Sequence, residues 1–270
     1  MSIYKRTLAG LACATAAFLA INTASAGNIY LTGHDVLLHS GQNGYDNVIL
    51  DYLRAGSEPA ANYNIGLVRG FDGSVGTVGT NTLEGFGTIT TRDLTSFADS
   101  ASFSAFLSTV DVLVIPSHTS CGGCDLSSAD ADILESFASG IAAFFNAGGD
   151  IYANSGATDT TFYNFLPASA VASGTSISGS TGFTATAAGT AIGITSDMIN
   201  GFPTHNRFFD FAPVFTTFET RDTEVISIGL RGGTIGGGGI IITSVPEPSI
   251  LSLLAISLLG LGIIRRRKEV

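Results

Sequence analysis

One stretch constrains the fold more than any other. Asp111-Val112-Leu113-Val114-Ile115-Pro116 is a short, unbroken, β-branched apolar run. A run of that length without polar alternation predicts a strand buried on both faces, as in a parallel sheet. Ser127 and Asp130 then have capping-box spacing. Ile133, Leu134, Phe137, Ile141, Phe144 and Phe145 follow as one helical stripe. Ala147-Gly148-Gly149 stops it, and Asp150-Ile151-Tyr152-Ala153-Asn154 reads as the next strand. Strand, helix and strand in sequence form a βαβ crossover, which places two parallel strands in one sheet.

The same alternation extends upstream. Asn28 to Thr32 predicts a strand and Asp46 to Ala55 a helix. Asn64 to Arg69 predicts a second strand, and Phe97 to Val110 a weaker helix. Downstream, Ser169 to Gly182 reads as an exposed Ser/Gly/Ala loop, with strands expected over 182–188 and 191–195. Val214 to Glu219 and Thr223 to Leu230 predict an antiparallel pair turning at Arg221-Asp222. The expected fold is an open, mostly parallel flavodoxin-like α/β sheet with helices on both faces. The segment Asp111 to Gly156, with VLVIPSH, the Ala-Gly-Gly turn and IYANSG, resembles class I glutamine-amidotransferase-like domains. That resemblance implies a nucleophile elbow near Ser155, where the family has a Cys and this chain has none.

The two ends carry different signals. Lys5 and Arg6, the uncharged run Leu8 to Ile21, and Ala24-Ser25-Ala26 read as a signal peptide over 1–26. An uncut membrane anchor is the alternative, although the apolar run is short for a span. At the other end, a Gly-rich linker (232–248) ends in Pro246-Glu247-Pro248. An apolar segment (249–264) and the basic tail 265–270, with Arg265, Arg266, Arg267 and Lys268, complete it. The apolar segment is a transmembrane candidate, and its flanking cations would hold that end in the cytoplasm. This order of parts resembles the PEP-CTERM sorting signal, which implies processing by signal peptidase and an exosortase. It further implies an inner-membrane-anchored intermediate, held through the C-terminal helix, and then delivery to the surface or exopolysaccharide matrix of a Gram-negative bacterium. An ordinary C-terminal anchor is the bland alternative.

Between the ends, residues 27–246 carry six arginines, no lysine and 20 acidic residues, a net charge of −14. That balance excludes nucleic acid as a partner, because binding there starts with phosphate neutralisation. It also opposes direct contact with polyanionic polysaccharide. The sequence implies no cofactor: Gly232 to Gly239 lacks the Lys-Ser/Thr of a phosphate loop.

In open α/β sheets, ligands bind at the carboxyl ends of the strands. His34 and Asp35, Ser117 and His118, and Asn154 and Ser155 fall there. Three readings follow. A hydrolase would use Ser155 with His118 or His205 as base. A metal site would draw on His34, His118 and His205, though no spacing among them is diagnostic. A non-catalytic binding or structural domain would use His34, Asp35, Asn206 and Arg207 as polar networks, with Arg207 paired to an acid. Cys121 and Cys124, in Cys-Gly-Gly-Cys, are expected to close a small disulfide in an oxidising compartment. Metal ligation and redox chemistry are the alternatives.

Overall fold

A computed structural model describes residues 26–37, 44–55, 58–70, 83, 85–118, 126–166, 172–201, 203–232, 234–236 and 239–241. The expected signal peptide up to residue 25, the transmembrane segment and the Cys121-Cys124 pair lie outside them. Among the described residues, no helix is long and apolar enough to cross a membrane.

The strands are β1 (Asn28–Thr32), β2 (Ile65–Arg69), β3 (Ile89–Asp93), β4 (Val112–Ile115), β5 (Asp150–Ala153), β6 (Ala172–Ser176), β7 (Thr184–Ala185), β8 (Asn206–Phe211), β9 (Thr216–Arg221) and β10 (Glu224–Arg231). The contiguous run β3-β2-β4-β5-β1 is wholly parallel. β10 then pairs antiparallel with β1, and the antiparallel strands β6 to β9 complete one mixed sheet. The order departs from the flavodoxin-like expectation. There the first strand sits among its sequence neighbours. Here β1 lies between β5 and β10, so it is the seam between the parallel and antiparallel halves.

Helices cover both faces, and strand alternation sorts the core. Ile29, Leu31, Leu113, Ile115, Ile151 and Ala153 face one side. They pack there on Phe103 and Phe106 of α2 (Ser100–Leu107), Leu134 of α3 (Ser128–Ser136), and Ile141 and Phe145 of α4 (Ala138–Asn146). Tyr30, Val112, Val114 and Tyr152 face the other side, against Ile49, Leu50 and Leu53 of α1 (Tyr45–Arg54). Each Val, Leu, Ile or Phe among them contributes about 1.5–3 kcal/mol by leaving water.

The predicted capping box at Ser127 and Asp130 forms, with both reciprocal bonds present. The stripe it opens is two helices, not one. Phe137 leaves helical geometry between α3 and α4, and its ring stacks on Phe103 at 4.5 Å. The expected loop at 169–182 contains β6, paired to β8. Its residues are small for a steric reason: a Cβ on Gly174 would lie 2.3 Å from Asn206 Oδ1. The strand expected over 191–195 is the end of α5 (Ala187–Ala191) and a turn before α6 (Ser196–Ile199). Thr186 caps α5 through the Gly189 N–H. Inside the expected flexible linker, β11 (Thr234–Gly236) and β12 (Gly239–Ile241) pair as a hairpin.

Gly33 joins the two halves of the sheet. Its N–H donates to Ile226, and its carbonyl accepts from the His205 and Asn206 N–H groups. A Cβ there would stand 1.8 Å from the Asn206 carbonyl oxygen. Gly33→Ala must therefore force β1 and β8 apart. We expect a loss of at least about 3 kcal/mol in chemical denaturation, because backbone cannot yield as a side-chain tip can. A loss under about 1 kcal/mol would show that this approach is not tight.

Candidate functional site

The densest polar cluster is buried at the seam. Positions 30, 32 and 34 alternate onto one face of β1 and its extension. Register sets Thr32 beside Ser227 of β10, and Ser227 beside Glu219 of β9. Tyr30 and His34 thus meet a carboxylate carried across three strands, with the Thr32 hydroxyl beside them on Ser227 and Tyr45. His34 Nε2 lies 2.7 Å from Glu219 Oε2, and its Nδ1 lies 2.7 Å from Thr204 Oγ1. The Tyr30 and Tyr45 hydroxyls donate to Glu219 Oε1 at 2.9 and 2.5 Å. Both His34 and Glu219 are 0% exposed. Burial alone would raise the Glu219 pKa. The His34 charge and ring N–H, with the two tyrosine hydroxyls, outweigh that and hold it below its ordinary value. Burial and the same carboxylate push Tyr30 and Tyr45 well above the usual phenol range.

Beside this cluster, side chains stitch together the loops that leave the strand ends. Ser117 Oγ donates to Asp35 Oδ1 at 3.0 Å, and His205 Nε2 stands 3.7 Å from Asp35 Oδ2. Asn154 Oδ1 accepts the Val36 N–H. The His118 N–H donates to the Ser155 carbonyl. Ser155 is 0% exposed, and its Oγ accepts the Ala157 N–H at 3.0 Å. The left-handed residue of that turn is Ala157, φ 49°, rather than Ser155. The His118 ring sits elsewhere. Its Nε2 is 3.4 Å from Ser128 Oγ and 3.7 Å from Asp159 Oδ2, while its buried Nδ1 has no hydrogen-bond partner among the described residues. Burial lowers the His118 pKa, and Asp159 opposes the shift.

The structure thus brings His118 close to Ser155 through the backbone. Among the described residues, no hydrogen bond joins the Ser155 hydroxyl to the ring of His118 or His205. Nor does any group of three or more His, Cys, Asp or Glu among the described residues stand ready for a metal. His39, Cys121 and Cys124 lie outside those residues. Arg207 pairs with Glu224 at 2.5 Å, as the acid partner was expected. Asn206 is fully buried, and neither its Oδ1 nor its Nδ2 has a hydrogen-bond partner among the described residues. Glu219, Tyr30 and Tyr45 escaped the sequence reading. The signal was the period-2 placement of Tyr30, Thr32 and His34.

The family scan decides the reading of the tail. Residues 244–268 match the PEP-CTERM protein-sorting motif. The motif implies an exported protein, sorted by an exosortase to the surface of Gram-negative bacteria. Of solved structures, a peptidase from an acI-B1 Actinobacterium is similar, at 16% identity and a TM-score of 0.33. The match covers 53% of this chain and 59% of the peptidase chain, so the chain spans about three-fifths of that protein's length. No curated protein matches the chain.

A second buried carboxylate titrates in an accessible range. Asp150 Oδ1 accepts the Asn28 N–H, and its Oδ2 accepts the Tyr63 hydroxyl, each at 2.5 Å. Burial pushes its pKa up to about 7, and those bonds only partly counter it. From about pH 4 to 7 the folded chain therefore holds a proton that the unfolded chain has released. Stability falls across that window as pH rises, by up to about 1.4 kcal/mol per unit. Glu219 has the opposite sign. Its contribution is present above the ordinary glutamate range and is lost as pH falls through its lowered pKa. Asp150→Asn should therefore gain on wild type between pH 4 and 7 in urea denaturation. Parallel stability curves would contradict the assignment.

Proposed function

We propose that the protein is an exosortase-sorted component of the cell surface or extracellular matrix. Its α/β domain binds or scaffolds and performs no catalysis. The observation that carries this reading is the commitment of the strand-end side chains to one another. His34 spends both ring nitrogens inside the fold, and Ser155 is sealed with its oxygen already bonded. A nucleophile needs an accessible hydroxyl on one nitrogen of a base that a carboxylate orients through the other. At Ser155 the chain leaves β5 for a turn and a single 3-10 turn (Phe162–Phe165), without the Cys of amidotransferase-like domains and without left-handed geometry at the elbow position.

Sorting gives the domain its setting. Signal peptidase acts on the N-terminus, and the 249–264 segment holds the inner-membrane intermediate until the exosortase acts at Pro246-Glu247-Pro248. The matrix partner is exopolysaccharide. The charge of −14 favours neutral chains, or acidic ones bridged by divalent cations.

One arrangement favours a hydrolase as the second reading. Exposed Ser128, at the start of α3, is within 3.4 Å of His118 Nε2, with Asp159 3.7 Å from the same nitrogen. Both groups share one nitrogen, so Asp159 does not orient the ring for Ser128. A serine-reactive fluorophosphonate and isolated exopolysaccharide separate the readings. The exported protein should be retained on the polysaccharide and remain unlabelled. Stoichiometric labelling that disappears in Ser128→Ala or Ser155→Ala would establish the hydrolase instead.

A further inference from the structure

The far end of the sheet carries a different feature. Where β10 ends at Arg231, α1, α5, β9 and β10 enclose an open cleft of about 490 Å³. That volume suits a small-molecule ligand. Tyr52 and Phe218 form an aromatic floor, their rings 5.1 Å apart in an edge arrangement, and Ala188 and Ile192 line one side. Thr216 adds a hydroxyl.

The charge in the cleft is unusual for this chain. Arg54, Arg69, Arg207 and Arg221 are each ion-paired to a carboxylate, and Arg92, at the far edge strand β3, lies over the Phe97 ring. Arg231 has no carboxylate partner among the described residues. Its guanidinium stacks 4.4 Å above the Tyr52 ring and donates one bond to the Tyr52 carbonyl. Those contacts fix the plane of the group and leave donors facing the cleft. Asp51, on the rim, is already engaged by Arg54 through both Nε and Nη2. The local field is therefore positive within an acidic domain.

We infer that this cleft binds a small carboxylate-bearing ring. The Arg231 guanidinium, seated over Tyr52, takes the carboxylate in a two-bond fork, and the ring lies against Phe218, Ala188 and Ile192. The surrounding charge of −14 selects a single negative group over a polyanion. A sugar acid and an aromatic acid share this chemistry. The inference rests on the binding role proposed above and gives it a site.

Isothermal titration calorimetry on the exported protein tests it, with glucuronate and benzoate as probes and glucose and benzyl alcohol as their neutral counterparts. At least one acid should bind, and its neutral counterpart should bind about tenfold more weakly or worse. The preferred acid identifies the source. Arg231→Gln should weaken binding at least about tenfold, and added salt should weaken it in wild type. Asp51→Asn, at an exposed helix position, should strengthen it. Equal binding of acid and neutral counterpart, no acid binding to folded wild type, or unchanged affinity in Arg231→Gln would overturn the site. Retention on exopolysaccharide without acid binding would overturn this site and leave the binding role standing.

Discussion

The fold turns on a histidine–carboxylate contact with no access to water. His34 and Glu219 come from opposite ends of the chain and meet at 2.7 Å with neither exposed. An isolated carboxylate there would cost several kcal/mol. It is tolerated because two tyrosine hydroxyls and an imidazole satisfy it, and Thr204 satisfies the remaining imidazole nitrogen. Such an arrangement demands that β1, α1, β9 and the turn before β8 all arrive together. It therefore specifies how the antiparallel half joins the parallel half, whatever its net contribution to stability.

The same geometry shapes what the domain can do. In an open α/β sheet the strand ends are where chemistry is expected. Here the polar residues at those ends are turned inward, to one another and to loop backbone. The densest polar cluster lies where the two halves of the sheet meet, joining β1, β9 and the turn before β8. The cleft at the opposite end, where Arg231 stacks on Tyr52, is open and carries a charge with no carboxylate partner among the described residues. The proposed ligand site thus falls at the end of β10, the last strand of the main sheet before the sorting motif.

The legible parts of the sequence were those with local causes. The βαβ unit from Asp111 to Gly156 rests on a short apolar run, a capping box and a Gly stop, and all three appear where expected. The Arg221-Asp222 hairpin rests on turn chemistry, with Asp222 left-handed at φ 55°. What failed depended on partners distant in sequence. β6 looks like low-complexity loop because its small residues answer to the Asn206 side chain, which no local pattern reveals. The break at Phe137 answers to a ring on another helix. The place of β1 beside β10 is set by a pairing about 200 residues apart. Candidate site residues were found by type and strand-end position. Glu219 lies mid-strand in a Thr-rich segment and had no such marker.

A double-mutant cycle on the seam is the measurement to make. His34→Gln and Glu219→Gln would be made singly and together, and unfolding free energies compared in the exported protein. If the pair holds the two halves of the sheet, the losses will be strongly non-additive. The coupling should then be about 2 kcal/mol or more, because each single change strands a buried partner. Additivity within about 0.5 kcal/mol would mean that the two residues do not depend on one another, and that the seam is held by something else.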